Sequence, residues 1–511
     1  MSAPVVIAGA GPTGLMLAGE LRLAGVPVEL LERLPAPTGQ SRAPGVYAGT
    51  LETWHQRGLL ERFAGHLRLG AYGHFALLPG GLDLSELDTP RAAGLVPQAT
   101  VEAVLADWAG GLGAGIRRGH RVIGLCQRPD GVTVDVAGPT GEYRLAAAYL
   151  VGCDGGRSSV RKLAGFEFTG TESTVDVLLA DLAGVDAAAV DLPRRPFPFL
   201  RNEKGWVGLS SITAASVRIF ACDFARPPVR DADPPSFAEV RAAVAHIAGE
   251  RVGDALAGGV PRWRSRFGNA TRQATGYRIG RVLLAGDAAH VHPPFGGQGI
   301  GVGIQDAVNL GWKLAAEING WAPPDLLDSY HAERHPAAGA ILRLTQAQDA
   351  LMQGGPWVAS LRDFLTELAA VPAANRHLAA EVTGLNLRYP LDGEHGAELD
   401  SAVADLVGRR LPGAVEPLRA GRGALLLSAD DTTAAEVAEP WRGRIDLVTD
   451  AAGEPRTAAA LAEGTALLVR PDGHIAWAAG PTPIDHSGLE KALWRWFGAP
   501  PDRSARAEGS P

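Results

Sequence analysis

Cysteine is nearly absent from this chain of 511 residues: there are three, Cys126, Cys153 and Cys222. An odd number with no CxxC spacing argues against a disulfide framework and against a cysteine zinc site, and the expected compartment is a reducing cytoplasm. Long hydrophobic runs are missing as well. None approaches the roughly 20 residues a membrane helix needs, so no membrane partner is expected. The opening segment, Met1 to Ile7, has no basic stretch, and Gly9, Gly11 and Pro12 interrupt its apolar residues, so it reads as a buried strand and not as an export signal. Excess positive charge is also lacking. A net charge of −8 leaves no electrostatic footprint for nucleic acid or an anionic surface. A small-molecule partner fits better. Hydrophobic residues make up 46% and charged residues 20%, ordinary for a globular protein, and the length exceeds one hydrophobic core.

Glycine, by contrast, is abundant and sits at telling places. Gly9-Ala10-Gly11-Pro12-Thr13-Gly14 follows a β-branched strand at 4–8 and opens a helix with apolar residues at Leu15, Leu17, Ala18, Leu21 and Ala24. Gly25 ends that helix, and Val26 to Leu31 reads as a second strand closed by Glu32. This βαβ context is what a dinucleotide clamp requires. Gly9 permits the turn, Gly11 lets phosphates approach, Gly14 lets helix and sheet pack, and the free amides at the helix start favour an anion. Glu32 would accept hydrogen bonds from a ribose.

Three further motifs carry chemistry. Asp287, in Leu284-Ala285-Gly286-Asp287, follows a strand at Arg281 to Ala285 and either accepts bonds from a ribitol chain or caps a junction. Pro293-Pro294-Phe295-Gly296-Gly297-Gln298-Gly299-Ile300-Gly301 precedes a helix from about Val302 to Ile318. Either it aims backbone amides at a ring that gains negative charge on reduction, or it is a flexible loop. Asp154-Gly155-Gly156-Arg157, leading to Arg161, either offsets cofactor charge or is an Asx turn with solvated arginines. His290 and His292 have no third ligand nearby, so no metal is expected. No GxSxG elbow frames Ser158-Ser159 as a nucleophile.

Elsewhere, Arg121 to Leu125 and Val132 to Val136 alternate about a Pro129-Asp130-Gly131 turn, and Tyr149 to Cys153 is a strand. Residues 173–275 mix short strands with Pro-rich turns and form a second, mostly β domain. After Pro336 the chain is largely helical to about 385. Residues 386–422 hold a linker, and a small α/β unit comes after it, with Trp494, Trp496 and Phe497 in its core. The expected division is 1–172, 173–275, 276–385, 386–499 and a disordered 500–511.

Gly9–Gly14, Asp154-Gly155 and Gly286-Asp287, in this order, resemble the three fingerprints of single-component FAD aromatic hydroxylases of the p-hydroxybenzoate hydroxylase-like class. The segments 151–162, 267–272, 326–335 and 470–477 are similar to those of bacterial angucycline and anthracycline polyketide hydroxylases and of rifampicin monooxygenases. The resemblance implies an α/β protein: a Rossmann-like FAD-binding domain, an inserted mixed β-sheet substrate domain and a thioredoxin-like tail, here without CxxC. It implies FAD as cofactor, NADPH or NADH as co-substrate, and O2 binding to give a C4a-hydroperoxyflavin. That species would hydroxylate a polycyclic aromatic polyketide in antibiotic biosynthesis, with no essential acid–base side chain. FAD contacts are implied at Gly9, Gly11, Pro12, Thr13, Gly14, Glu32, Arg33, Arg42, Gln98, Val122, Asp154, Gly155, Asp287, Pro294, Gly297, Gly299, Ile300 and Gly301. Phe197, Phe199, Trp206 and Phe295 are candidates to line the substrate pocket, with core packing the competing account. The protein would be a monomer or homodimer.

Two positions depart from the family pattern. Gly49 stands where an arginine is common and Gly301 where an asparagine is common, both close to the flavin ring in the family. Pyrophosphate, ribose and ribityl contacts are intact, while ring contacts are altered. The departures leave two alternatives open: a redox-neutral or binding role on the same fold, and oxidative inactivation of a drug such as a rifamycin.

Overall fold

A computed structural model describes residues 3–43, 45–193, 198–213, 216–229, 233–391, 401–427, 432–449, 465–480 and 486–500. Strand β1 (Val5–Ala8) is buried along its whole length inside a six-stranded sheet. Four apolar residues in a row suit a strand covered on both faces. Helix α1 (Pro12–Leu23) leads to β2 (Val28–Glu32), parallel to β1 with Val5 opposite Val28. The spatial order is Arg278–Ile279, Val282–Leu284, Tyr149–Gly152, β1, β2, Gly115–Arg118, and only the first pair is antiparallel. The hairpin at 121–138 turns where the Pro-Asp-Gly signal predicts and joins Gly141–Ala147 in a three-stranded sheet against the same core. Helix α2 (Ala48–Gln56) packs on α3 (Gly299–Ile318).

The inserted sheet runs Phe199–Arg201, Gly205–Thr213, Ser216–Asp223, Val177–Ala183, Val260–Phe267. A mixed sheet is expected from the sequence, but every hydrogen-bonded pair here is antiparallel, because Val177–Ala183 lies between Ser216–Asp223 and Val260–Phe267, the two parallel strands that the chain joins through helices. Period-two alternation divides its side chains. Val207 and Leu209 pack against Val240, Val244 and Ile247 of the helix Phe237–Ala248, whereas Trp206 and Cys222 join a cluster with Phe295 on the opposite face.

Three long helices come after α3. Helix α4 (Ser329–Met352) begins seven residues before Pro336 and runs through it, earlier than the sequence predicts. Proline deletes the bond to the Ala332 carbonyl, but Tyr330, Glu333 and Arg334 are pinned in the interior just ahead of it. Helices α5 (Pro356–Ala369) and α6 (Pro372–Thr383) stack beyond. The tail sheet runs Ile445–Thr449, Gly423–Leu427, Ala466–Val469, Ile475–Ala479, parallel in the first pair and antiparallel in the others. Its core takes in Trp312 and Ala316 of α3 together with Trp496 and Phe497. Trp494 is 47% exposed instead, because two positions along a helix is roughly half a turn round. The expected disorder of 500–511 falls, from 501 onward, outside the described residues.

Charges bind these layers. Glu333 of α4 meets Arg470 of the tail through two bonds of 2.8 Å, lies 2.9 Å from Lys313 Nζ of α3 and accepts from Asn309 Nδ2 at 2.6 Å. Burial alone would raise its carboxyl, but Arg470 and Lys313 hold it at about 2, against an ordinary 4.5. Such a depressed carboxylate contributes stability above the ordinary value, and that contribution is lost as pH falls toward 2. Glu333→Gln strands the buried Lys313, leaves Arg470 to Asp472 alone, and should cost about 3–5 kcal/mol near neutral pH. Urea unfolding of wild type and variant should show the gap narrowing at about pH 3; an equal gap at both would mean the carboxylate is not what holds the layers.

Candidate functional site

At the end of β1 the backbone turns at Gly9, with φ +105, and a Cβ there would stand 2.4 Å from the Cys153 carbonyl oxygen. Gly14 sits one helical turn on, so close that a Cβ would meet the Gly9 carbonyl at 2.0 Å. At Gly11, the N-cap of α1, a Cβ would meet nothing within 4 Å. The space ahead of the helix start is therefore open, and no acidic residue occupies the first turn. Pro12 at N1 costs no hydrogen bond. The Thr13 hydroxyl lies against Gly286 and Gly303, each of which has room only for hydrogen. One side chain thus gathers the first clamp, the Gly286-Asp287 turn and α3.

Glu32 spends its carboxylate partly on the clamp itself: Oε2 accepts from Ala10 N at 2.8 Å and Oε1 from Leu34 N at 2.9 Å. Lone pairs remain on both oxygens for a further donor. Arg33 beside it is exposed. Asp154 caps the short helix Ser159–Leu163, accepting from Ser159 N at 2.6 Å, Val160 N at 3.2 Å and the Ser158 hydroxyl. Gly155 comes next, in the left-handed region. Arg157 is exposed as the Asx-turn account expects, but Arg161 is not solvated. It is 5% exposed, donates to the Ala288 and Gly156 carbonyls and stacks 3.8 Å over Phe168. Its buried guanidinium ties the Asp154 turn to the Asp287 turn.

Asp287 is exposed on the turn Gly286–Ala288, with no hydrogen-bond partner among the described residues. The turn is held from below by Asp306 of α3, which accepts from Gly286 N at 2.9 Å, His290 Nε2 at 2.7 Å and Arg334 Nε at 2.7 Å. Burial would raise the Asp306 carboxyl, but Arg334 and His290 bring it below the ordinary range. His290 is thereby committed to a structural bond. The next loop folds through Gly297 N to the Pro294 carbonyl at 3.1 Å, leaving Pro294 exposed. Gln298 anchors it to α6 through the Val382 carbonyl at 2.9 Å. Helix α3 starts at Gly299, three residues earlier than predicted, and a Cβ there would also meet nothing within 4 Å. Ile300 tucks against the core of the six-stranded sheet. A second helix N-terminus therefore opens into free space near the first.

Gln98 starts the helix Gln98–Gly111, donates its backbone N–H to the Ala43 carbonyl and accepts from Ala43 N at its side-chain Oε1, which sets it beside the exposed Arg42. Val122, by contrast, is 5% exposed in the core of the three-stranded sheet, so any ligand contact there would be through its backbone. Sequence reading missed Arg218. It comes from the inserted sheet, is paired with Asp181 at 2.7 and 2.8 Å, and donates to the carbonyls of Arg42 and Ser41. A lone arginine in an alternating strand gives no local signal of that reach.

Three of the four proposed aromatic residues come together. Trp206 lies 6.0 Å from Phe295 at 74°, 6.3 Å from Phe199 and 6.0 Å from Phe220, a member not foreseen. Phe197 lies outside the described residues. Edge-on pairs contribute about 0.5–1.5 kcal/mol each beyond burial, so the wall is preformed. Alongside lies a cavity of about 470 Å³ lined by Phe75, Leu78, Leu351, Leu365 and Leu378. Gly49 and Gly301 face a different cavity, on the tail side of α3.

The chain matches the FAD binding domain family over residues 2–345 and the aromatic-ring hydroxylase C-terminal family over residues 391–500. It is 44% identical to the 12-dehydrotetracycline 5-monooxygenase/anhydrotetracycline 6-monooxygenase of Streptomyces rimosus, across 97% of this chain and 99% of the relative. It is 41% identical to the dialkyldecalin synthase of Streptomyces rugosporus, across 98% and 99%. The solved structure of BexE, studied for oxidation during BE-7585A biosynthesis, is 49% identical, with TM-score 0.86 over 98% of this chain and 100% of that one. The chain belongs to the FAD-binding aromatic-ring hydroxylase family. It is an FAD-dependent monooxygenase with FAD as its cofactor, in a family that draws electrons from NAD(P)H. Among the described residues no helix is long and apolar enough to cross a membrane.

Because Gly11 faces open space, Gly11→Val should fold with unchanged circular dichroism yet lose flavin by roughly tenfold or more, as one lost charge-assisted contact suffices for that factor. Asp287→Ala should lower flavin content as well. Absorbance ratios of the purified proteins read this directly, and full occupancy in the Gly11 variant would overturn the placement of the phosphates.

Proposed function

We propose that this monooxygenase oxidises a polycyclic aromatic polyketide in natural-product biosynthesis. The observation that carries the reading is the contact between Trp206 and Phe295. One belongs to the inserted sheet and the other to the glycine loop ahead of α3, so an aromatic wall and the ring-facing amides form one unit. The tetracycline relative points to the same substrate class.

The residues fit FAD. The opening before Gly11 accepts a pyrophosphate, Glu32 retains acceptor capacity for a ribose, and Asp287 offers a free carboxylate to the ribityl hydroxyls. Thr13, Gly14, Asp154 and Gly155 hold that track in shape, with Arg42 and Gln98 at its flank. The chemistry supplied when FAD is bound is transfer of two electrons from NAD(P)H to O2, one oxygen atom entering the substrate and the other leaving as water. What the chain adds is position and dryness. The amides at Gly299, Ile300 and Gly301 favour negative charge at the ring. Phe199, Trp206, Phe220 and Phe295 exclude water and stack on a flat substrate. Arg218 fixes the Ser41–Arg42 segment from the substrate side.

The domain division at 172, 275 and 385 belongs to this reading. Phe168–Thr171 and Thr271–Ala274 pair as a neck between the flavin sheet and the inserted sheet, which supports the first two boundaries. The tail reads as thioredoxin-like in strand order, and without CxxC its role is support for α3.

A second reading, a redox-neutral ring-forming role, is favoured by Gly49 and Gly301 and by the likeness to a dialkyldecalin synthase. Purified protein should be yellow. It should oxidise NAD(P)H faster when tetracyclic phenols are present, and it should yield a product heavier by one oxygen atom. A colourless protein that FAD cannot restore and that consumes no oxygen would sink the proposal; cyclisation without oxygen uptake would favour the second reading.

A further inference from the structure

Helix α5 buries almost nothing. Of its 14 residues only Arg362 and Ala369 are inside. Arg362 fixes the helix to the body, donating to the Ala76 carbonyl at 2.8 Å and to the Leu351 and Leu77 carbonyls at 3.0 Å. The face it turns outward is apolar. Trp357 is 86% exposed, Leu361 49%, Phe364 61% and Leu368 43%, with Val371 at 48% just past the helix end. At 3.6 residues per turn the four helical positions fall within about 60° of one another, so they form one stripe. Single exposed apolar residues are ordinary, but a contiguous stripe marks an interaction surface. The five side chains expose on the order of 600 Å², most of the roughly 800 Å² that a standard interface buries on each partner.

The stripe is nearly palindromic. Trp357 lies seven residues before Phe364 and Val371 seven after, Leu361 three before and Leu368 four after. A second copy laid antiparallel across Phe364 sets Trp357 against Val371, Leu361 against Leu368 and Phe364 against itself. An isologous two-fold interface requires that self-complementarity. A receptor for the largest side chain is present too. The cavity of about 470 Å³ reaches the surface at Leu361 and Leu368, and Leu365, Ala374 and Leu378 continue its wall. Antiparallel placement brings Trp357 of the second copy to the Leu368–Ala374 end of this groove, one tryptophan for each. Asp363 and Glu367 stand exposed at the rim, where solvent screens them.

We propose that α5 is the interface of a homodimer: a second copy of this chain packs antiparallel on it about a two-fold axis at Phe364, each Trp357 seated in the other copy's groove. Anchor and groove lie on one face at two-fold-related places, which a partner of another kind does not require.

The test uses full-length, FAD-loaded protein. Sedimentation velocity over a concentration series reaching the high micromolar range should show a monomer–dimer equilibrium. Phe364→Asp places two like charges at the axis and Trp357→Ala empties both grooves; each should weaken association by roughly hundredfold or more and leave flavin content unchanged. Phe364→Cys, in a Cys126→Ser background, should form an intermolecular disulfide on mild oxidation, because helix axes 8–10 Å apart bring Cα atoms at the two-fold to about 4–6 Å. Asp363→Cys, about a quarter turn away, should not. Hydrogen exchange on the wild type, which needs no variant, should show protection at 356–371 that grows with protein concentration. A protein that stays monomeric throughout the series overturns the proposal. So does a dimer that Phe364→Asp leaves intact, or a stripe that binds phosphatidylcholine vesicles and no second copy. No turnover is measured, so this result and the fate of the polyketide reading are independent.

Discussion

Helix α3 carries Asp306 and Lys313 into the interior about two turns apart, and both are fully buried. Neither charge is tolerable there alone, so each needs a partner from another layer. Asp306 finds the Gly286 amide, His290 and Arg334; Lys313 finds Glu333, which Arg470 grips from the tail. The flavin sheet, the long helices and the tail are thus docked through one line of charge. The same line aims the N-terminus of α3, because the helix cannot slide or rotate without stranding a charge. A parallel clasp runs nearby, where Arg57 grips Glu20 of α1 at 2.7 Å through two nitrogens and reaches the carbonyls of Leu418 and Pro471.

Close approach is the second constraint. Helices α1 and α3 touch at Gly303 and Gly311, where a Cβ would stand 2.2 Å from Thr13 Oγ1 and 2.5 Å from Glu20 Cβ. That intimacy sets two helix N-termini side by side. The aromatic wall reaches them from the inserted sheet because alternation turns Trp206 and Cys222 to one face while Val207 and Leu209 hold the helix behind. A large cavity lies on the tail side of α3. Gly49 leaves room, whereas a Cβ at Gly301 would stand 2.9 Å from Thr50 Oγ1, and Arg410 from the tail reaches the wall through Gln305.

Much of this was legible in residue order. The clamp at 9–14 and the strand on either side of α1 come from local chemistry, because φ preferences, apolar runs and turn residues act over a few positions. The hairpin at 121–138 and the helix after Gly299 were readable for the same reason. Pro336 misled, since three pinned neighbours outweigh one lost bond, and Trp494 misled, since spacing alone did not say which face was covered.

By itself, then, the sequence determined an FAD-binding aromatic hydroxylase frame, the glycine turn at 9–14 and the places of the acidic residues around it. Only the tertiary structure decided that Glu32 and Asp154 spend their oxygens on backbone amides while Asp287 has no hydrogen-bond partner among the described residues, that Arg161 is buried, that Arg218 reaches Arg42, and that His474 lines a cavity with Gly49 and Gly301. Those outcomes join residues tens or hundreds of positions apart, and hydrogen bonding and burial are settled by distance in space, which a linear pattern does not carry.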